Sequence, residues 1–420
     1  MTRWSIPRPS PTECSEVTRL PPRLQPFWPL VKRVHRFVSL TAGILGRRTR
    51  RWHGDRALPA RGTASIDETR DREPQHVAIH RAIEGELIRR APAQGSPAGH
   101  WVFDQHRQVD IPAASCLDIE RGTVVGDFGA VITPGGTLDG ETSDYFGIAG
   151  WREHPLFLRP RLPVVQEVDG TVAVLATRGG NNNYYHFLLD VLPRFGVLER
   201  TLPGVDVDAI FVPNGSGWQR TFLDLAGLGD VPVLSSGPDR AVRARRLLVP
   251  SVANRREAAP SSSVTWLREH LPPQGTDDTP RRIFVTRGQV PNSRRVVHED
   301  AVMEQLAQRG FVSIDPAKLT PQGQIDLFAG AEVVVAAHGA ALTNLLFLSP
   351  GARVLEMFAP NYVNSCYWAI TQGIADVRYR YLVGDGWEQH GPGDPMNKIL
   401  ADIEIPAATI VAAVDELLAD

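Results

Sequence analysis

The chain has 420 residues, 42% of them hydrophobic, which is enough for two or three domains with buried cores. Its 45 Lys and Arg residues nearly balance 47 Asp and Glu residues, and the net charge of -2 excludes a protein that binds nucleic acid through a generally basic surface. Three widely separated cysteines, Cys14, Cys116 and Cys366, form no CxxC pair or zinc-ligand pattern, which favours a reducing compartment. The sequence has no apolar run of about 18 residues and begins without the apolar stretch of a signal peptide, so we expect a cytoplasmic protein.

Residues 1–75 differ in composition from the rest of the chain. Residues 1–26 are rich in Pro, Ser and Arg and are expected to be disordered. From Phe27 to Gly46, apolar residues recur at helical spacing with basic residues on the other face, which predicts an amphipathic helix. Such a helix either lies on an anionic membrane surface or packs on the protein with its basic face in solvent. Residues 54–75 are polar and contain Gly and Pro, which predicts a linker.

The pattern after residue 75 predicts folded structure. Short β-type runs between about residues 100 and 177 predict a small β-rich portion, after which strands and helices alternate. We expect an N-terminal α/β part over residues 76–270, a C-terminal α/β part over 271–405, and a closing helix over 406–420. Strands that alternate with helices in this way predict parallel sheets covered by helices.

The most distinctive motif is EVVVAAHGAALTN, followed by PGARVLEMF. An apolar strand ends at His338 and Gly339, and a helix begins at once, so backbone N–H groups at its start can bind a phosphate. Thr343 and Asn344 lie in the first turn and add donors. Glu356 ends the apolar run of the next strand, where a carboxylate can accept ribose hydroxyls. The alternative is a turn glycine followed by capping groups, with the carboxylate in an ion pair.

A second cluster surrounds the loop after the strand IFVTR. Arg287 ends that strand, and Arg294 and Arg295 follow. Guanidiniums bind phosphate oxygens bidentately, so three of them around one loop suit a diphosphate, and Glu299 in the next helix could orient one of them. The alternative is a solvated basic loop beside an acid that is favoured at a helix N-terminus.

The third cluster is NNNYYHFLLDVLPR, in which His186, Asp190 and Arg194 are spaced four residues apart. On a helix they share one face. A carboxylate one turn from an imidazole fixes its tautomer and raises its basicity, so His186 is a candidate general base and Asp190 its partner. A core histidine satisfied by a carboxylate is the alternative.

Together these motifs resemble glycosyltransferase family 61, whose bacterial members are often described as capsular polysaccharide biosynthesis proteins. The resemblance covers about residues 165–385. It implies a GT-B architecture, in which two Rossmann-like lobes face a cleft, a nucleotide-sugar donor in the C-terminal lobe, inverting transfer, and no obligatory metal or other cofactor. Carried over to this sequence, it places the donor diphosphate around Arg287, Arg294, His338, Gly339, Thr343 and Asn344 and the nucleoside near Glu356, with His186 and Asp190 facing the acceptor. From the residue clusters themselves we add Arg295 on the donor side, and Asn183 and Arg194 on the acceptor side.

The sequence departs from the family pattern in three places. Ala341 stands where HGAGLTN has its second glycine, Thr286 where a Ser is usual, and His298 where an Asn often precedes the Glu. These changes affect the expected donor affinity more than the expected fold.

We therefore expect a glycosyltransferase that moves a sugar from a nucleotide diphosphate to a glycan or lipid-linked acceptor in surface polysaccharide synthesis. We place it in the cytoplasm or peripherally at the inner face of the cell membrane. A non-catalytic glycan- or nucleotide-binding scaffold on the same fold is the alternative. A nicotinamide-dependent oxidoreductase is disfavoured because no GxGxxG follows a predicted strand.

Overall fold

A computed structural model describes residues 52–288, 294–386 and 401–419, together with five residues of the N-terminal segment. The predicted disorder of residues 1–26 and most of the predicted amphipathic helix lie outside the described residues. The five described residues there are helical, and four of them expose large apolar side chains: Val34, Phe37, Val38 and Ile44.

The described helices are all too short or too polar to cross a bilayer.

The described strands are β1 (Arg61–Thr63), β2 (Val77–Ile83), β3 (Glu86–Arg89), β4 (Gln94–Ser96), β5 (Gln108–Ile111), β6 (Ala114–Glu120), β7 (Thr123–Val125), β8 (Ala130–Ile132), β9 (Thr137–Asp139), β10 (Val165–Val174), β11 (Ala209–Val212), β12 (Val233–Ser235), β13 (Ala241–Pro250), β14 (Arg282–Val285), β15 (Val312–Ile314), β16 (Val333–Ala337), β17 (Arg353–Phe358) and β18 (Arg378–Val383).

The described α-helices are α1 (Ile66–Arg72), α2 (Trp101–Gln105), α3 (Tyr184–His186), α4 (Pro193–Thr201), α5 (Gly217–Leu225), α6 (Ser261–His270), α7 (Glu299–Ala307), α8 (Pro321–Gly330), α9 (Cys366–Thr371) and α10 (Ala407–Ala419). A π-helical turn (Phe187–Val191) joins α3 to α4. Short 3₁₀ helices span Gly54–Arg56, Trp151–Glu153, Pro155–Leu158, Pro316–Lys318 and Ala340–Phe347.

The first sheet is mixed. Its main order is β1-β9-β8-β7-β13-β10-β11-β12, with β6 also paired to β13 and β2 paired to β6. Strands β13, β10, β11 and β12 run parallel, whereas β6 and β7 run antiparallel to β13. Strands β6 to β9 of the predicted β-rich portion therefore form the mainly antiparallel side of this sheet. Its last strand, β10, belongs to the parallel side, together with the predicted α/β alternation.

The second sheet is parallel throughout, in the order β15-β14-β16-β17-β18-β4. Helices α7, α8 and α9 and the 3₁₀ helix Ala340–Phe347 provide its connections. Every residue of β16 is buried, as expected for a central strand covered on both faces. The strand order reverses between β14 and β16, and ligands of doubly wound sheets bind beyond the carboxyl ends of the strands at such a reversal.

Strand β4 comes from the N-terminal part of the chain but pairs with β18 of the second sheet. Gly95 permits this pairing, because a Cβ there would lie 2.4 Å from the carbonyl oxygen of Tyr381. Behind β4, the ring of Phe103 stacks on Tyr381 at 4.3 Å. One continuous apolar core also includes residues of both parts, among them Leu188 and Phe358. The two parts are therefore packed together closely.

Part of the predicted linker is folded. It forms β1, which pairs with β9, and α1, whose residue Ile66 is buried. After α1, the buried carboxylate of Glu73 accepts hydrogen bonds from the hydroxyls of Thr133 and Thr137 and from the N–H of Gly135. Polar residues of this segment thus form hydrogen bonds with neighbouring strands. The linker prediction rested on the polar composition, which does not distinguish such residues from solvent-exposed ones.

Candidate functional site

Two arginines converge at the carboxyl end of β16, where the strand order of the second sheet reverses. Arg287 follows β14, and its Nη1 donates a hydrogen bond of 3.1 Å to the carbonyl oxygen of His338. The Nε of Arg294 donates to the same oxygen at 3.2 Å. The structure thus brings together three residues that the sequence predicted to lie near one another, and it concentrates positive charge at a position that suits an anion.

Gly339 allows this arrangement. Its φ of 176° is ordinary extended backbone, so the glycine is not required for a left-handed conformation. A Cβ at this position would instead lie only 1.6 Å from Nη1 of Arg287. The glycine is therefore needed for the close approach of the guanidinium to the backbone.

Aromatic rings surround His338. Its imidazole stacks on Phe358 at 5.0 Å and contacts Tyr367 at 5.0 Å and Tyr362 at 5.4 Å. The guanidinium of Arg294 lies over the ring of Tyr362, 4.4 Å from its centroid, in cation–π geometry. These contacts hold the imidazole and Arg294 in defined positions.

His338 and Glu356 form a buried, uncharged pair. The Nδ1 of the imidazole lies 2.5 Å from Oε1, and the hydroxyl of Tyr379 donates to Oε2 at 2.5 Å. Burial raises the pKa of Glu356 to about 8. Burial, assisted by the charges of Arg294 and Arg287, holds the pKa of His338 well below its usual value. At neutral pH the positive charge of the site therefore comes from the arginines.

This placement corrects the prediction that Glu356 lies near the nucleoside. The side chain is 0% exposed, and both of its oxygens already have partners. Two further residues of β17 follow it, so it lies inside the sheet and not at the strand end. Glu356 is positioned to orient His338.

Thr343 and Asn344 also differ from their predicted roles as phosphate donors. Both are 0% exposed. The hydroxyl of Thr343 donates to the carbonyl of Ala340 at 2.7 Å. The amide of Asn344 donates to Gln324 at 2.9 Å and accepts a hydrogen bond of 2.8 Å from the hydroxyl of Tyr184. Because the segment is a 3₁₀ helix buried from residue 342 onwards, these side chains point into the core, and Asn344 joins the two parts of the protein through Tyr184.

The remaining residues of the arginine loop have structural contacts. The backbone of Arg295 pairs with a later segment, since its N–H donates to Asp402 at 3.0 Å and its carbonyl accepts from Ile403 at 2.7 Å. Glu299, predicted to orient an arginine, accepts a hydrogen bond of 2.5 Å from the hydroxyl of Thr286. The carboxylate therefore holds the start of the loop.

The predicted pair of His186 and Asp190 is present in α3 and the π-helical turn, which follow β10 of the first sheet in the chain. Their Nδ1 and Oδ2 atoms lie 2.7 Å apart, and the histidine side chain keeps 11% of its surface exposed. Asn183, predicted to bind the acceptor, caps α3: its Oδ1 accepts from the N–H groups of Tyr185 at 2.9 Å and His186 at 3.3 Å.

Sequence reasoning missed Asn254, which lies beyond the carboxyl end of the neighbouring strand β13. Its Nδ2 donates to Oδ1 of Asp190 at 2.8 Å, and its own Oδ1 accepts from the N–H of Ala259 at 2.9 Å. It is buried and holds the carboxylate that contacts His186. The sequence did offer one signal for Asn254, since it is a polar residue that follows soon after the apolar strand RRLLVP, where site residues often lie.

Arg194 does not face an acceptor. It is 1% exposed, and it donates to the carbonyl oxygens of Pro250 at 2.8 Å and Ala176 at 2.5 Å, which join the ends of β13 and β10. Burial lowers its pKa to about 10. The shared face predicted for a regular helix is lost because the π-helical turn and Pro193 separate Arg194 from Asp190.

Contacts between aromatic rings connect the two clusters. The ring of Tyr185 lies 5.4 Å from His186 and 5.9 Å from Tyr367, which in turn contacts His338. From the loop after β13, Glu257 accepts a hydrogen bond of 3.1 Å from Asn364. Both clusters therefore belong to one region between the two sheets.

Among the described side chains, no group of three or more His, Cys, Asp and Glu residues is close enough to hold a metal ion.

Residues 184–355 match the family model described as Glycosyltransferase 61. Over this segment the chain is similar to glycosyltransferase family 61. The resemblance predicted from the motifs is confirmed over this segment, and the match supports a transferase that acts on a sugar donor and an acceptor. The family 61 match begins in α3 and ends in β17, so it contains both clusters, from His186 to Gly339. No curated protein matches the chain at a significant level.

Proposed function

We propose that this protein transfers a sugar from a nucleotide diphosphate donor to a glycan or lipid-linked acceptor by a single displacement with inversion, without a metal ion. The observation that carries the proposal is the convergence of Arg287 and Arg294 at the end of β16. A leaving diphosphate gains negative charge as the sugar–phosphate bond breaks, and guanidiniums fixed beforehand stabilise that charge. A GT-B arrangement is the architecture that we propose for the two α/β parts.

The acceptor hydroxyl must lose its proton as it attacks. His186 is the proposed base, because Asp190 contacts its Nδ1 and leaves Nε2 as the proton-accepting nitrogen. Asn254 holds the carboxylate from its other side. This base lies in α3, which follows β10 of the first sheet, whereas the arginines lie at the end of β16 in the second, so donor and acceptor would approach each other between the two sheets.

We also propose that the protein works in surface polysaccharide synthesis in the cytoplasm, with its N-terminal segment at the inner face of the cell membrane. The exposed apolar side chains of Val34, Phe37, Val38 and Ile44 support this placement, because apolar residues at helical spacing beside basic ones suit an anionic bilayer surface.

The first experiment measures binding of UDP, GDP, CDP and ADP by calorimetry with excess chelator, and then sugar transfer from the matching nucleotide sugars by mass spectrometry. We expect one nucleoside diphosphate to bind, and His186→Ala to lower turnover about 10²- to 10⁴-fold, the usual contribution of a general base, with unchanged nucleotide affinity. His80→Ala is the matched control, because His80 forms another His–Asp pair, with Asp118 at 3.2 Å.

Binding that disappears on chelation would contradict the metal-free proposal, and near wild-type turnover of His186→Ala would place the base elsewhere. Nucleotide binding without transfer to any acceptor of a broad panel would favour the non-catalytic scaffold. Inversion is tested separately by the anomeric proton signal of the new linkage.

A further inference from the structure

The loop between β9 and the 3₁₀ helix Trp151–Glu153 lies outside the family match and presents an exposed aromatic ring beside the proposed base. Phe146 on this loop is 43% exposed. Its ring centroid lies 5.2 Å from that of His186, with the ring planes inclined at 53°. A large apolar side chain left in solvent at this position is a candidate contact for a ligand.

The ring is held in place from behind. The guanidinium of Arg178 lies 4.5 Å from the centroid of Phe146, donates to Asp144 at 2.5 Å, and donates to the carbonyl of Arg255 at 2.9 Å. The ring of the preceding residue, Tyr145, contacts those of Phe128 at 6.1 Å and His154 at 5.9 Å. Anchoring of this kind lowers the entropy that a ligand contact would cost.

The polar groups next to the ring complete a surface suited to a carbohydrate. Asp144 keeps 29% of its side chain exposed while it pairs with Arg178, and Arg255 lies 3.6 Å from the same carboxylate. A pyranose has an apolar face of C–H groups and a rim of hydroxyls. The ring of Phe146, backed on one face by the Arg178 guanidinium and with the Asp144 carboxylate close by, matches both, since the ring takes the C–H face and the carboxylate takes a hydroxyl.

We infer that Phe146 is the stacking platform for the acceptor's sugar ring, with Asp144 accepting a hydrogen bond from one of its hydroxyls. The acceptor end recognised by the protein is then a pyranose, whatever the remainder of the acceptor. This inference rests on the proposed function, in which His186 marks the acceptor side. The stacked ring would present its hydroxyl to the imidazole while the arginines hold the donor on the other sheet.

Saturation-transfer difference NMR tests this with the full-length protein and four probes: the methyl β-pyranosides of glucose, galactose, xylose and N-acetylglucosamine. We expect at least one to receive saturation, mostly at the protons of its C–H face. Phe146→Ala should lower that signal at least fivefold, whereas Phe146→Trp should retain it. Leu158→Ala is the control, because Leu158 is an apolar, non-aromatic residue that is similarly exposed, at 41%.

Two results would overturn the inference: no saturation of any of the four glycosides by the wild-type protein, or equal saturation by wild type and Phe146→Ala. The measurement needs no turnover, so it separates this inference from the proposed function. If His186→Ala kept normal turnover, His186 would not be the general base. If Phe146→Ala still lowered the glycoside signal in that case, the role of Phe146 as the stacking platform would stand.

Discussion

Gly339→Ala adds one methyl group to the proposed diphosphate site. The new Cβ would lie 1.6 Å from Nη1 of Arg287, whereas an ordinary contact is 3.4–4 Å, so the guanidinium must withdraw by about 2 Å. That movement breaks its 3.1 Å hydrogen bond to the carbonyl of His338. The φ of 176° suits alanine, so the backbone itself adds no strain.

The size of the effect follows from the lost alignment. A hydrogen bond to a charged group contributes about 1.5–3 kcal/mol. After Gly339→Ala the guanidinium stays near the site with its charge, so we expect the lower end, about 1.5 kcal/mol, which is about tenfold weaker binding of the nucleoside diphosphate. Arg287→Ala removes the positive charge as well, so its loss of binding free energy should be closer to about 3 kcal/mol.

Calorimetry with the tightest-binding nucleoside diphosphate measures both variants and their combination. If the methyl group acts by displacing Arg287, Gly339→Ala should have no further effect in the Arg287→Ala background, so the two changes should be strongly non-additive. Gly275→Ala is the control, because a Cβ there meets no atom within 4 Å. Unchanged affinity of Gly339→Ala, or simple additivity, would refute the reasoning.

Two further predictions concern stability and location. The buried carboxyl of Glu356 keeps its proton up to about pH 8 in the folded protein and loses it near its ordinary pKa of 4.5 in the unfolded chain. Its contribution to the free energy of unfolding should therefore fall by up to about 1.4 kcal/mol per pH unit as pH rises between these values. Glu356→Gln should remove that slope, as measured by urea denaturation from pH 5 to 8, and an identical pH slope in both proteins would contradict the uncharged pair. Removal of residues 1–51 should abolish co-sedimentation with anionic vesicles, and wild-type binding should weaken at high salt because surface charges are screened within about 10 Å. Equal pelleting of the full-length and truncated proteins would contradict the membrane role. The truncation keeps Arg56, whose side chain donates a hydrogen bond to the carbonyl of Leu162, so this contact with the folded part is preserved.

The sequence predicted the α/β class and the closeness of Arg287, Arg294 and His338, because both depend on where apolar strands end. In the structure, β14 and β16 are neighbours in the second sheet, so the residues that follow their carboxyl ends lie close together. The directions of single side chains were less predictable. Asn344 points into the core because its segment is a 3₁₀ helix, and Arg194 turns away after a π-helical turn. Neither irregular turn has a clear signal in the spacing of apolar residues.

Contacts distant in sequence were beyond local patterns. Asn254 meets Asp190 across 64 residues, and its neighbours gave no reason to connect the two. Strand β4 is three residues long and polar, with no β-type alternation, so its place at the edge of the second sheet follows only from tertiary packing.

The position of β4 restricts how this protein can be divided or recombined. A fragment that starts at residue 271 would have an unpaired edge at β18, and Tyr381 would lose the ring of Phe103. Exposed edges of this kind promote aggregation. Exchange of the C-terminal part between relatives would therefore have to include residues 94–105. Sequence changes in the sheet that carries the donor site are thus linked to a segment that lies far upstream in the chain.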